Sequence, residues 1–244
     1  MDKGGLDRTI GGMFTDRVLV LTAVLPEARA LARAFRLGPC DRTKLPLWRG
    51  EGWVLACIAV GAGGLPRLMR EGEVAKPKVV VMAGLGGALS PGLRVGDVVV
   101  DARDRAAPLP ALGDAIFGRL HTSSKIIGTP AQKAHLFQQT GCLAVDMETD
   151  VARAFAASCG AAFLAMRGIS DSAEEELDPK LLTLVDADGK PRVGRAIKML
   201  CLRPWKLAGM LRLVRGSERA MFAVARTLEL LLASGWPVVA ANRP

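Results

Sequence analysis

Tyrosine is absent from this chain of 244 residues, and histidine occurs only as His121 and His135. With so few aromatic side chains, base-stacking platforms of the kind used by single-strand binders are excluded, and no nucleic-acid partner is expected. The five cysteines, Cys40, Cys57, Cys142, Cys159 and Cys201, are scattered with no Cys-x-x-Cys pair. That pattern points to reduced, buried thiols in a cytoplasmic protein and, with histidine so scarce, to no metal site. No uncharged apolar run reaches the roughly 20 residues of a spanning helix, because Arg226 and Glu229 interrupt the best candidate. Met1 to Asp16 carry glycines and charges without an apolar h-region, so they read as a loose tail rather than a signal peptide.

What is present is an apolar half of the composition, ample for a sizeable core, in a length that suits one α/β domain over residues 17–244. The formal charge of +9 has two readings, a merely soluble basic surface or a partner with an anionic face, which charge alone allows to be either nucleic acid or phospholipid headgroups.

Apolar runs of strand length recur along the chain. Arg17 to Thr22 opens the sheet as a buried strand, and Pro26 suits the first turn of the helix that follows through Phe35. Residues 38–52 suggest a turn between edge strands. Trp53 to Val60 is the next strand, followed by Gly61 to Gly64 and a helix from Leu65 to Lys76. That glycine turn either cradles an anion or simply makes a tight turn. Lys78 to Ala83 leads into a Gly84 to Gly87 turn, whose glycines let the backbone approach a base or sugar closely. Residues 101–118 read as a loop with a short helix over the site. Pro130 to Thr140 reads as a helix capped by Thr129, and Phe163 to Ile169 as another strand. Beyond it come an acidic run with Glu174, Glu175 and Glu176, read as a solvated loop or a lid, then a short helix Asp178 to Val185 and a turn at 186–190.

Two carboxylates, Glu148 and Asp171, each stand where a buried element meets a turn. Strand ends of open α/β sheets face ligand crevices, so two such acids are positioned to face one pocket. Each also has an ordinary reading, Glu148 as a first-turn helix acid and Asp171 as a turn or cap residue. The same holds for Glu27, at the end of the first strand.

The text around these acids resembles the nucleoside phosphorylase and nucleosidase family, which holds purine and uridine phosphorylases and the methylthioadenosine/S-adenosylhomocysteine nucleosidases. The resemblance lies in Val145-Asp146-Met147-Glu148, in Arg167-Gly168-Ile169-Ser170-Asp171, and in Gly84-Leu85-Gly86-Gly87 followed by Val95-Gly96-Asp97-Val98-Val99, in the family's order and spacing. It implies a three-layer αβα phosphorylase-type fold with a central mixed sheet, no cofactor, an adenosine-type nucleoside substrate and a homo-oligomer. It also implies roles: Glu27 to activate water, Asp171 as general acid, Glu148 on the ribose hydroxyls, Met147 packing on the sugar and Ser170 orienting Asp171. Gly84, Gly86, Ile127 and Gly128 become candidate substrate contacts. Phosphate-using relatives carry an arginine and a serine or threonine where this chain has Met82 and Leu85, which favours water as the attacking group.

The last third departs from the common family pattern. Gly194 to Leu202, Trp205 to Val214 and Ser217 to Ser234 read as three basic, apolar helical segments punctuated by Pro204 and Gly216. They serve either as core packing with a solvated face or as a surface that meets anionic lipid. Within this helical, basic stretch over 189–244, Gly189-Lys190-Pro191-Arg192-Val193-Gly194 followed by Leu202-Arg203-Pro204 and Leu211-Arg212-Leu213 resembles the tail of the hopanoid-associated phosphorylase-like proteins. That resemblance implies removal of adenine from adenosylhopane, with peripheral contact at the inner face of a membrane.

Overall fold

The computed structural model describes residues 18–40, 43, 45–65, 68, 76–105, 107–177 and 207–236. The expected tail at 1–16, the helix Asp178 to Val185, the turn at 186–190 and the segment Gly194 to Leu202 lie outside the described residues. So does most of the helix expected over Leu65 to Lys76, of which Leu65 and Leu68 are described and buried.

Among the described residues nine strands form one mixed sheet. They are β1 (Val18–Thr22), β2 (Leu47–Gly50), β3 (Trp53–Cys57), β4 (Val79–Ala88), β5 (Val98–Asp101), β6 (Ile116–Phe117), β7 (Leu120–Thr122), β8 (Ala144–Asp146) and β9 (Ala162–Asp171). The main path runs β2-β3-β1-β4-β9-β5-β6, and β8 pairs with both β4 and β7. The strands β3, β1, β4 and β9 are mutually parallel, whereas β5 runs antiparallel to β9. The central strands are buried on both faces, which explains why they read as unbroken Val, Leu and Ala runs.

Alternation along each strand divides the interior into two cores. Val20, Val81, Ala83, Leu164 and Met166 point to one face, and pack with Ala28 and Leu31 of α1 (Leu25–Ala34) and with Met221, Val224 and Leu228 of α4 (Leu207–Ala233). Leu19, Leu21, Val80, Met82, Phe163 and Ala165 point to the other, against Ala152 and Ala156 of α3 (Thr149–Cys159). This is the expected three-layer αβα arrangement, helix over mixed sheet over helix. The remaining helix, α2 (Pro130–Thr140), starts as the sequence predicts: Thr129 Oγ1 accepts from the Gln132 N–H, and Gln132 Oε1 accepts from the Thr129 N–H.

Three expectations are corrected. Gly84 to Gly87 do not form a turn, since β4 continues through them to Ala88 with a register shift between Gly86 and Gly87. The stretch 101–118 contains no helix among its described residues and does not cover the cleft that holds the candidate acids. It carries β6, buries Leu112 beneath α4, and receives a hydrogen bond from Trp236 Nε1 at Ala107 O. Gly216 does not separate two helices, because α4 runs unbroken from Leu207 to Ala233.

The physical reason for the last correction is close packing. A Cβ on Gly216 would lie 3.1 Å from Ser170 O, and one on Gly168 would lie 2.6 Å from Ala220 O. Missing side chains on both partners therefore let α4 lie directly on β9. Gly168→Ala is expected to push the two backbones apart and to destabilise the protein by about 1–3 kcal/mol, as overpacking does. A lowered urea midpoint at constant slope is the measurement; an unchanged midpoint contradicts this account.

Candidate active site

Beyond the carboxyl ends of β1, β4 and β9 lies a cleft of about 260 Å³, just below the usual range of small-molecule pockets. Its wall includes Glu27, Gly86, Ile127, Met147, Glu148, Ser170 and Asp171. Three acids far apart in sequence thus meet in one place, each delivered by a different strand-to-helix junction or strand end. Gly84 and Gly128, also expected at the substrate, are not among the lining residues.

Glu27 sits in the first turn of α1 and is buried, with three backbone N–H groups on its carboxylate. Leu85 N–H donates to Oε1 at 2.8 Å, and Ala23 and Val24 N–H donate to Oε2 at 3.2 and 3.3 Å. Burial raises its pKa above the ordinary glutamate value, and the Arg167 guanidinium and these N–H groups only partly offset that.

Arg167 is the residue that sequence reasoning quoted but did not weigh. It lies in the middle of β9, fully buried, with Nε donating to Asp146 Oδ2 at 2.7 Å and Nη2 pairing with the same oxygen. Nη2 also stands 3.6 Å from Glu148 Oε2. Burial opposes its charge, but Asp146, Glu148 and Glu27 outweigh burial, so the guanidinium holds its proton more tightly than usual. Its Nη1 is buried without a hydrogen-bond partner among the described residues. The signal that betrays Arg167 in sequence is a cation inside an apolar strand run, which survives burial only when acids surround it.

The glycines of β4 now have a cause. Gly84 pairs directly with Arg167 across the sheet, and a Cβ on it would lie 2.6 Å from Arg167 Nη1 and 2.8 Å from Glu27 Oε1. On Gly87 a Cβ would come within 3.0 Å of Asp171 Oδ2. The side chains are missing because the charged groups occupy that space. Gly128 likewise stands behind the wall, with its carbonyl accepting from the Leu177 N–H at 2.8 Å and a Cβ position 2.9 Å from Leu177 O.

Asp146 and Glu148 divide the work at the start of α3. Asp146 caps the helix by accepting from the Thr149 N–H and hydroxyl, and also binds Thr122 Oγ1 at 3.1 Å. Glu148 makes no side-chain cap hydrogen bond, so its carboxylate is directed to Arg167 and the cleft instead of the helix terminus.

Asp171 is the last residue of β9 and is buried at the end of the cleft. Ser170 Oγ donates to its Oδ1 at 2.6 Å. Its Oδ2 accepts from Lys133 Nζ at 2.7 Å. Nothing in the helical pattern of 130–140 marks Lys133, which the structure alone reveals as fully buried. The acidic run is also held down at its backbone: Ser172 O and Glu175 O accept from Lys133, and Leu177 lines the cleft.

Replacing Arg167 by methionine leaves the buried carboxylates without their cation, and a loss of about 3–5 kcal/mol is expected. Glu27 then loses the charge that opposes its raised pKa. A carboxyl with a raised folded-state pKa loses stability as pH rises, so the deficit should grow with pH in urea unfolding. A deficit that shrinks as pH rises contradicts the assignment.

The phosphorylase superfamily model matches residues 102–200. No curated protein sequence matches the chain at a significant level. Among solved structures, 5′-methylthioadenosine nucleosidase of Arabidopsis thaliana is 15% identical, with 89% of this chain and 94% of that one covered at a TM-score of 0.61. Futalosine hydrolase of Helicobacter pylori is 12% identical over 91% of this chain and 100% of that one, TM-score 0.62. S-adenosylhomocysteine nucleosidase of Streptococcus pyogenes, in complex with 5-methylthiotubericidin, is 16% identical over 93% and 100%, TM-score 0.62. At these identities the solved structures establish the shared fold. The superfamily's own pattern is thus matched over the part of the chain that runs from β6 to β9.

Proposed function

We propose that the protein is a nucleosidase that hydrolyses the N-glycosidic bond of a 5′-substituted adenosine, with adenosylhopane as substrate and adenine and ribosylhopane as products. The observation that carries this reading is the convergence of Glu27, Glu148 and Asp171 on one cleft with apolar walls at Ile126, Ile127, Val145 and Met147. Asp171, held by Ser170, supplies the proton to the leaving adenine. Glu148 accepts hydrogen bonds from the ribose hydroxyls, which strengthen as positive charge grows on the ring. Glu27 takes the proton of the attacking water, and Arg167 Nη1 stands behind it over Gly84, buried and without a hydrogen-bond partner among the described residues. Met147 packs on the sugar, and Gly86 lines the wall, where a Cβ would lie 3.0 Å from Val145 O and 3.2 Å from Arg167 Cβ.

Water rather than phosphate as nucleophile is supported by Met82, fully buried in the core, and by Leu85, which puts an apolar side chain on the wall. A lipid-linked substrate draws support from α4. Its outer face exposes Leu211, Val214 and Phe222 among Arg212, Arg215 and Arg219, a mixture suited to peripheral contact with an anionic membrane. No helix of the described residues is long and apolar enough to cross a membrane. Lys198, Arg203 and Lys206 of the same stretch lie outside the described residues. We further propose a homo-oligomer, as the family resemblance implies.

The test is release of free adenine from adenosylhopane and from methylthioadenosine, each with and without phosphate. Adenine from adenosylhopane without phosphate is expected; a strict phosphate requirement would make the protein a phosphorylase, and preference for methylthioadenosine would reassign the substrate. If no nucleoside is cleaved, the scaffold is a binding protein. Glu27→Gln and Asp171→Asn should each keep the fold and lose about 10²- to 10⁴-fold in rate.

The pH profile provides a separate check. A base with a raised pKa is ionised only above that value, so kcat/KM should climb with pH through a limb lying above the ordinary glutamate range. A flat acid side, measured from conditions where the protein stays folded, removes Glu27 from the role.

A further inference from the structure

Lys133 is the one lysine among the described residues that is buried, and it sits on α2, outside the strand ends that furnish the acids. An ammonium has three N–H donors. Lys133 spends them on Asp171 Oδ2 at 2.7 Å, Ser172 O at 2.6 Å and Glu175 O at 2.9 Å, so none is left for a ligand. A buried ion pair is generally no more stabilising than well-packed apolar residues of similar volume. Anchoring the 172–177 segment by itself therefore does not call for a charge. What the charge does here is grip one oxygen of Asp171 while Ser170 Oγ grips the other at 2.6 Å. The carboxyl plane is fixed from two sides. The same ammonium ties that plane to the segment whose Leu177 N–H donates to Gly128 O, next to Ile126 and Ile127 on the wall.

We infer that Lys133 is a positioning residue for protonation of the leaving base: it holds the Asp171 carboxyl, and the wall segment beside it, in the orientation from which a proton passes to the base. The inference rests on the reading of Asp171 as the acid that serves the leaving group. Lys133 touches no substrate atom and acts through Asp171. The geometry also makes the effect specific to the leaving group, because Glu27 and Glu148 take none of Lys133's hydrogen bonds.

The experiment compares wild type, Lys133→Met and Asp171→Asn on two probes with the same 5′ substituent: the adenosine derivative that wild type cleaves, and its 4-nitrophenyl riboside, whose leaving group departs without being protonated. For Lys133→Met, kcat on the nucleoside should fall by about 10²-fold, the lower end for loss of a general acid. KM should change little, and the nitrophenyl riboside should be spared most of the loss. Equal losses on both probes would show that Lys133 only supports the fold, and an unchanged kcat on the nucleoside would overturn the inference outright. Asp171→Asn separates the two levels. If it retains full activity, the reading of Asp171 fails; if it is inactive while Lys133→Met is normal, that reading stands and the inference about Lys133 falls. Should Lys133→Met not fold, Lys133→Arg keeps a cation but displaces it. The same discrimination between probes is then expected, and equal losses again refute the role.

Discussion

A guanidinium buried in the central layer of the protein is an expense that only its surroundings can offset. Arg167 is offset by Asp146 through two hydrogen bonds, by Glu148 at 3.6 Å and by the field of Glu27. Because burial strengthens every interaction among these groups, they form one unit whose members cannot be moved singly. The helix cap of α3, the depth of Glu27 and the bare backbone of β4 are all consequences of accommodating that unit. The cleft is where its negative side reaches the surface of the sheet.

The second charged unit, Lys133 with Asp171, is built on a different cation from the first. In the proposed reaction, the first would hold the acids for the sugar and the attacking group, and the second the acid for the base. An enzyme that breaks a bond between sugar and base needs opposite proton traffic at its two ends. Independent cations allow the two carboxylate environments to be set differently. Glu27 illustrates the point, since burial pushes its pKa up even beside Arg167.

Much of this was legible in the amino-acid sequence. The strands β1, β4 and β9 show as β-branched and leucine runs because parallel strands buried on both faces carry little else. Thr129 and Pro130 announce α2, and the acids Glu27, Glu148 and Asp171 stand at junctions that topology brings together. Glycine misled, because its absence of a side chain has two uses that look alike in sequence. At Gly84 and Gly87 it clears space for charged groups within a strand, and at Gly216 it admits a neighbouring backbone within a helix; both resemble punctuation. Lys133 left no trace, since a lysine on a short helix ordinarily faces water, and only the chain's long-range folding carries it to Asp171.

The contact of α4 with β9 has a consequence for biosynthesis. The strand that ends in Asp171 lies against a helix made later in the chain, with Gly168 under Ala220 and Gly216 over Ser170. Until residues 207–233 have left the ribosome, one face of β9 has no cover, and Met166 and Leu164 remain open to other apolar surfaces. Folding of the cleft is thereby tied to the emergence of α4, and nascent chains that stall before it are the species a chaperone or protease would meet.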